Sequence, residues 1–517
     1  MKKSSFFLAL TFCVQLTAQS LKDAYRYSQN GVEGSARYTA MGGAFGAVGG
    51  DFSAFDINPA GSSVFAFNEL AGSFNFVSST NKASYFNTTT NEKNNDLAIG
   101  HLGAVFVLND ETGGNWTKIS IGFNYNKSIN YDNSFTAQGY NPNNGIDQYF
   151  LSFAQGQELV NISQINDESF IEAYRAIGED PSLGFPAQQA LFGYEGFVIN
   201  PIPLAGSDDA TDDSIRDYRS NTQADTQGYF HQYVQSSLGQ SKRYTINVSG
   251  VFQEKFYLGF NINHYTIEFS ELIDFSENNY GIDSGIRDLN FSNELITVGR
   301  GNSFQLGAIY RLNAQFRFGL SLESPTYYNL SDRIRQSLVT EVVDENGAFT
   351  LELDPAEGGT ETFFPEYQFN SPGSIRGSFA YIYKDKGVFS IDYTVRDFSS
   401  AKFTPKDDSL FRSLNQQIEG DFQSSQQLQL GMEYRINPFV SLRGGYWTQS
   451  ATKLFIDNTL EIISGGAGFN FGASNLDVTL QLRNTNDNQA LFANGLTDSI
   501  GLKRDDINLI FTYRLKL

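Results

Sequence analysis

Cysteine is almost absent from this chain. Its 517 residues hold 1 Cys, 3 His, 3 Met and 2 Trp. One Cys cannot build a disulfide framework or a Cys-ligated metal site. Basic clusters are missing too. The formal net charge is −21, which excludes the basic face a nucleic-acid binder needs. Beyond residue 20 there is no apolar run of about 20 residues, and mean hydropathy is −0.32, so a polytopic helical membrane protein is excluded. What is plentiful is 46 Phe, 27 Tyr and 48 Gly. An aromatic share of 15% is too much apolar material for a solvated coil. A β-rich chain with one wet and one apolar face per strand fits, and a membrane barrel fits best.

Residues 1–18 have the form of a signal peptide. Lys2 and Lys3 form a basic start, 6–16 is a short apolar stretch, and Ala18 offers the cut. The one cysteine, Cys13, lies inside that stretch, and Phe12 before it is too large for a lipoprotein site. The mature chain is then expected to hold no Cys.

Period-2 alternation recurs from residue 68 onward. Ile507, Leu509, Phe511, Tyr513, Leu515 and Leu517 share one face against Asn508, Thr512, Arg514 and Lys516, with Ile510 the exception. Such patterns predict about fourteen strands. They lie near 68–80, 97–108, 116–130, 241–252, 255–270, 302–312, 314–327, 372–383, 387–400, 425–436, 438–450, 459–471, 474–486 and 505–517. Most exceed the 9–11 residues a tilted strand needs to cross a bilayer. Connections alternate short and long. The short ones are 109–115, 253–254, 313, 384–386, 437 and 472–473. The long ones are 81–96, 131–240, 271–301, 328–371, 401–424, 451–458 and 487–504. Tight periplasmic turns and long external loops have this asymmetry in an up-and-down outer-membrane barrel. The fold expected is all-β: a transmembrane up-and-down antiparallel β-barrel of about 14 strands, over 68–517. Within 131–240, the stretch 157–178 has helical spacing, with a start near Asp167, and reads either as a ligand-capturing loop or as a cap.

Residues 19–67 do not alternate and are rich in small residues. Gly42, Gly43, Gly46, Gly49 and Gly50 are not a phosphate loop, since no strand precedes them and no Gly-Lys-Ser follows. Small residues let backbones approach closely, so this segment is expected to fold into the lumen as a hatch.

Gly34-Ser35-Ala36-Arg37, Met41-Gly42-Gly43-Ala44-Phe45, Asp51 and above all Asn58-Pro59-Ala60-Gly61 resemble the hatch of the FadL/OmpP1/TodX family of outer-membrane transport proteins. Segments 371–377, 390–393 and 442–446 look like strands of its Bacteroidetes branch. The chain departs from the family's pattern in ending on Leu517 rather than Phe and in a longer first large loop. The resemblance implies a fourteen-stranded barrel in the cell outer membrane of a Gram-negative bacterium, multi-pass after signal-peptide cleavage. It implies passive uptake of a hydrophobic small molecule: a long-chain fatty acid, an aromatic hydrocarbon or a detergent-like lipid. The hatch would rearrange to open a path through the barrel wall, with Gly42, Gly43, Asn58, Pro59 and Ala60 as gating residues. The alternative is a barrel scaffold of the type IX protein secretion system that binds secreted proteins.

Candidate ligand contacts are of two kinds. Phe45, Phe52 and Phe55 of the hatch would line an apolar path. Lys118, Arg317, Arg443, Arg483 and Arg396 sit on polar strand faces and would either receive a carboxylate headgroup or pair with Glu323, Asp392 or Asp477. His101 and His264 fall on strands and His231 in the large loop, with no serine placed to join them, so no enzyme is expected. The acidic run Asp208, Asp209, Asp212, Asp213 and Asp217 lacks EF-hand spacing and reads as a solvated loop. No cofactor, metal or nucleic acid is expected; the surrounding partner is outer-membrane lipid.

Overall fold

A computed structural model describes residues 19–517 except 30, 111–113, 166, 357–360 and 454–458. The leader expected at 1–18 lies outside the described residues. Fourteen antiparallel strands follow one another around a closed wall. They are β1 (Glu69–Tyr85), β2 (Thr88–Asn109), β3 (Trp116–Asn130, continued by Asn133–Asn141), β4 (Tyr229–Phe252), β5 (Phe256–Asn278), β6 (Ile286–Arg311), β7 (Phe316–Glu323, continued by Tyr327–Asp344), β8 (Tyr367–Asn370, continued by Ser374–Tyr383), β9 (Gly387–Asp397), β10 (Ser424–Asn437), β11 (Val440–Gln449), β12 (Leu460–Asn470), β13 (Ser474–Ala490) and β14 (Ser499–Lys516). The wall closes where β1 pairs with β14, Glu69 opposite Lys516 through Ser84 opposite Gly501.

Every expected strand is present, but many run further toward the long-loop end. The loop expected at 81–96 is strand, turned over Phe86 and Asn87. The loop expected at 131–240 begins and ends as strand, so His231 lies on β4. Strand conformation outlasts the lipid-facing pattern because backbone pairing continues wherever a neighbour continues. The expected strand 314–327 is broken by Pro325, and 372–383 starts only after Pro372; proline has no N–H to give to the ladder. The two breaks are neighbours, with the Ser371 N–H donating to the Thr326 carbonyl at 3.0 Å.

Alternation decides the faces. On β14, Ile507, Phe511, Tyr513 and Leu515 are exposed on the outside, while Asn508, Thr512 and the exceptional Ile510 are buried in the lumen. On β2 the outward residues change parity, from Leu97 and Ile99 to Leu102, Phe106 and Leu108. A register shift opposite Ser73 and Phe74, at Gly100, supplies the extra residue.

Residues 19–67 fill the lumen with short helices: α1 (Leu21–Ser28), α2 (Ala36–Ala40), α3 (Ala54–Ile57) and a 3-10 turn at Pro59–Val64. Ser20 starts α1 with a reciprocal capping box to Asp23. Over the long-loop end sits a cap with α4 (Asp147–Ala154), α5 (Phe170–Glu179) and α6 (Gly184–Glu195). Ser169, not Asp167, begins α5, because its hydroxyl and the Glu172 side chain satisfy each other's backbone N–H groups. The helix expected over 157–178 is therefore shorter. The cap shares one apolar core with the strand tops, including Phe150, Phe192, Phe275, Phe291 and Leu338. A second core joins α1 to α7 (Ser409–Asp421) through Tyr27, Phe369, Phe403 and Phe411.

Candidate functional site

The luminal segment 19–67, expected as a hatch, is held by the wall in two ways. The first is close approach. A Cβ on inward-facing Gly259, Gly307, Gly319 or Gly445 would collide with hatch atoms. Gly42 answers from the hatch side: its φ is +60°, and a Cβ there would lie 2.8 Å from the Tyr446 carbonyl. The second is hydrogen bonding. The Asn58 amide donates to the Gly46 carbonyl at 2.7 Å and to the Ala308 carbonyl on β6 at 3.1 Å, and its oxygen accepts the Ala60 N–H at 3.1 Å. Asn247 on β4 donates to the Pro59 carbonyl at 2.9 Å, and Asp392 on β9 accepts the Gly46 N–H at 2.8 Å. Asn58 and Pro59 thus tie two parts of the hatch to the wall, and Gly43 packs beside the Tyr38 hydroxyl.

Phe45, Phe52 and Phe55 have no exposed surface. Phe45 packs against Tyr38, and Phe52 against Phe55, Phe65 and the ring of His101. Burying each contributes about 1.5–3 kcal/mol to docking the hatch. Lys118 donates to the Phe65 carbonyl at 2.8 Å, and Arg317 to the Val48 carbonyl at 2.9 Å. Arg443 lies between Glu433 at 2.6 Å and Asp477 at 2.7 Å, and Glu433 also receives Arg37 of the hatch at 2.8 Å. Arg483 reaches Asp506 at 2.7 Å, and Arg396 reaches Glu323 at 3.7 Å. A lone charge in such a place would cost several kcal/mol; Arg443, Arg483 and Arg396 meet carboxylates, whereas Lys118 and Arg317 are held by backbone carbonyls.

One feature of the wall escaped sequence reading. The β2–β3 ladder runs from Asn109 opposite Lys118 only to His101 opposite Asn126. Past it, residues 88–99 of β2 pair with β1, and 127, 129–130 and 133–141 pair with β4, leaving no backbone ladder between the two among the described residues. At the ladder's end β2 bulges at Gly100 and β3 shifts register between Lys127 and Ile129, and further on β3 kinks at Tyr131 and Asp132. The Tyr131 N–H donates to the Gly239 carbonyl at 2.9 Å, and Asp132 accepts the Gly239 N–H at 2.8 Å. Gly239 has φ +125°, a conformation other residues rarely adopt. Side chains bridge the opening: Lys127 to Asp96 at 3.1 Å, Asn130 to Asp96 at 3.0 Å, and Asn94 to the Ser134 carbonyl at 3.0 Å. The available signal was the Gly239 and Asp132 pair, but nothing in sequence shows that they meet.

The opening contains a cavity of about 230 Å³. It shares Asn133 and Ser237 with a cavity of about 250 Å³ beneath the cap, and Asn130 with one of about 80 Å³ beside Glu33 of the luminal segment and Trp447 of β11. Space therefore adjoins space from the cap to the hatch and to the wall opening. An apolar groove lined by Leu70, Leu102, Phe123 and Ile246 is on the outer face.

A closed fourteen-stranded antiparallel barrel, with the short N-terminal helices inside its lumen, defines the fold class of this chain. No protein-family model matches the chain, and no curated protein matches it. Solved structures do. A Pseudomonas aeruginosa FadL homologue aligns at TM-score 0.51 with 9% identity, over 93% of this chain and 97% of that one. The Pseudomonas putida toluene transporter TodX aligns at 0.49 with 12% identity, over 94% and 98%. The Ralstonia pickettii toluene transporter TbuX aligns at 0.48 with 13% identity, over 94% and 99%. The chain thus has the FadL-type fold.

Proposed function

We propose that this protein is an outer-membrane channel for passive uptake of hydrophobic molecules, the class that runs from long-chain fatty acids to aromatic hydrocarbons. The observation that carries the reading is the unpaired stretch of wall between β2 and β3, opening beside a lumen stoppered by the hatch. Exit through the wall into lipid spares an apolar solute the aqueous lumen. The short-turn end faces the periplasm and the capped end faces outward. Gly42, Gly43, Asn58, Pro59 and Ala60 gate the path by holding the hatch against the wall. The fold likeness to the FadL homologue supports the architecture of the reading. The test is uptake of radiolabelled hydrophobic solutes by cells of a host lacking its own FadL-type channel. Uptake no faster than vector-only cells, at verified surface amounts, would overturn it.

A further inference from the structure

The cavities that adjoin the wall opening have a chemistry that narrows the solute. The opening is lined by the amides and hydroxyls of Asn94, Asn130, Asn133, Ser134, Ser236 and Ser237, alongside Asp96, Asp132 and the apolar Val77 and Leu238. The cavity beneath the cap adds Asn81, Gln235 and Gln489, but also the apolar surfaces of Tyr131, Phe135, Phe269 and Leu502. Asn130 already donates to Asp96 and Asn94 to the Ser134 carbonyl, but a hydrocarbon would offer nothing to the remaining hydrogen-bonding capacity of these amides and hydroxyls.

The cations of the lining are already paired. Beneath the cap, Lys22 and Arg26 both reach Glu271, at 3.2 Å and 3.7 Å, and Arg26 also meets Asp23. Arg504 is bound to Asp506 at 2.6 Å. In the opening, Lys127 is taken by Asp96, and Asp132 is held by the Gly239 N–H. Each lining cation already has a carboxylate, so a carboxylate headgroup would displace an existing pair.

The geometry points to a neutral amphiphile as the solute: an apolar tail against the aromatic side of the cap cavity, with a head of hydroxyl or amide groups passing along the Asn and Ser lining of the opening. This rests on the channel reading and narrows its substrate. The discriminating experiment compares three probes of equal chain length in the uptake assay: 1-monolaurin, lauric acid and dodecane. Monolaurin is expected to enter at least tenfold faster than dodecane and several-fold faster than lauric acid. Ser237→Val with Asn130→Leu, checked for surface amount and heat-modifiable mobility, is expected to lower monolaurin uptake and raise that of dodecane. A double variant that does not reach the surface leaves the three-probe ranking of the parent protein as the deciding result. Dodecane or lauric acid entering as fast as monolaurin overturns the narrowing and leaves the channel reading standing. Entry of none of the three overturns both.

Discussion

Lys127 on β3, one residue past the last backbone pair between the two strands, reaches Asp96 on β2, Nζ to Oδ2 3.1 Å. Both side chains are mostly buried, at 10% and 28% exposure, so the pair is shielded from salt and spans the opening where the wall has no ladder. It is the natural place to hold the opening shut artificially.

Cysteines at positions 96 and 127, joined by a short bis-maleimide linker, are expected to lower uptake by tenfold or more without changing barrel assembly. Uptake by linked and unlinked samples at matched surface amounts checks this. Equal rates would remove the wall opening from the path.

Asn58→Ala strips three interactions that tie the hatch to itself and to β6. The buried carbonyls of Gly46 and Ala308 lose a donor. The cost is about 1–3 kcal/mol of hatch docking. The variant should assemble normally yet show faster protease cleavage within 19–67 and impaired uptake. Cleavage rates like those of the parent would mean that Asn58 does not hold the hatch.

Gly445→Val places a side chain where the hatch backbone at Met41 and Gly42 now lies. The wall itself tolerates valine in a strand. The barrel should therefore keep its heat-modifiable gel mobility while the hatch is displaced, read as larger single-channel conductance in planar bilayers. Conductance unchanged from the parent would show that the hatch accommodates the methyl groups.

Asp147 begins α4 in the cap and is almost fully buried. Burial, reinforced by the nearby Glu277 carboxylate, raises its carboxyl above the ordinary value. A raised folded-state value penalises the carboxylate form. The cap is then most stable below the ordinary carboxylate range and loses stability as pH rises through the raised value. Asp147→Asn should flatten that loss, seen as protease resistance of the cap compared between acid and neutral pH. A parent cap equally resistant at both would refute it.

Much of the fold could be read from the chain. The alternation at 505–517 shows its lipid face directly, and even the exception, Ile510, is explained by a lumen that is not wholly polar near the hatch. Strand ends were harder, since Tyr85 and Thr88 remain paired well beyond the apolar band. The inward cations could be named from sequence, but not their partners. Arg443 meets Glu433 and Asp477, which are 10 and 34 residues away.

By itself, the sequence determined the barrel and the small-residue segment that fills it, because a period of two and an abundance of glycine act locally. Only the tertiary structure decided where the wall opens. That opening lies where a bulge at Gly100 of β2, set against β1, and a register shift at 127–129 of β3, set against β4, end the ladder between them. It is a relation among neighbouring strands, and no single stretch of chain carries it.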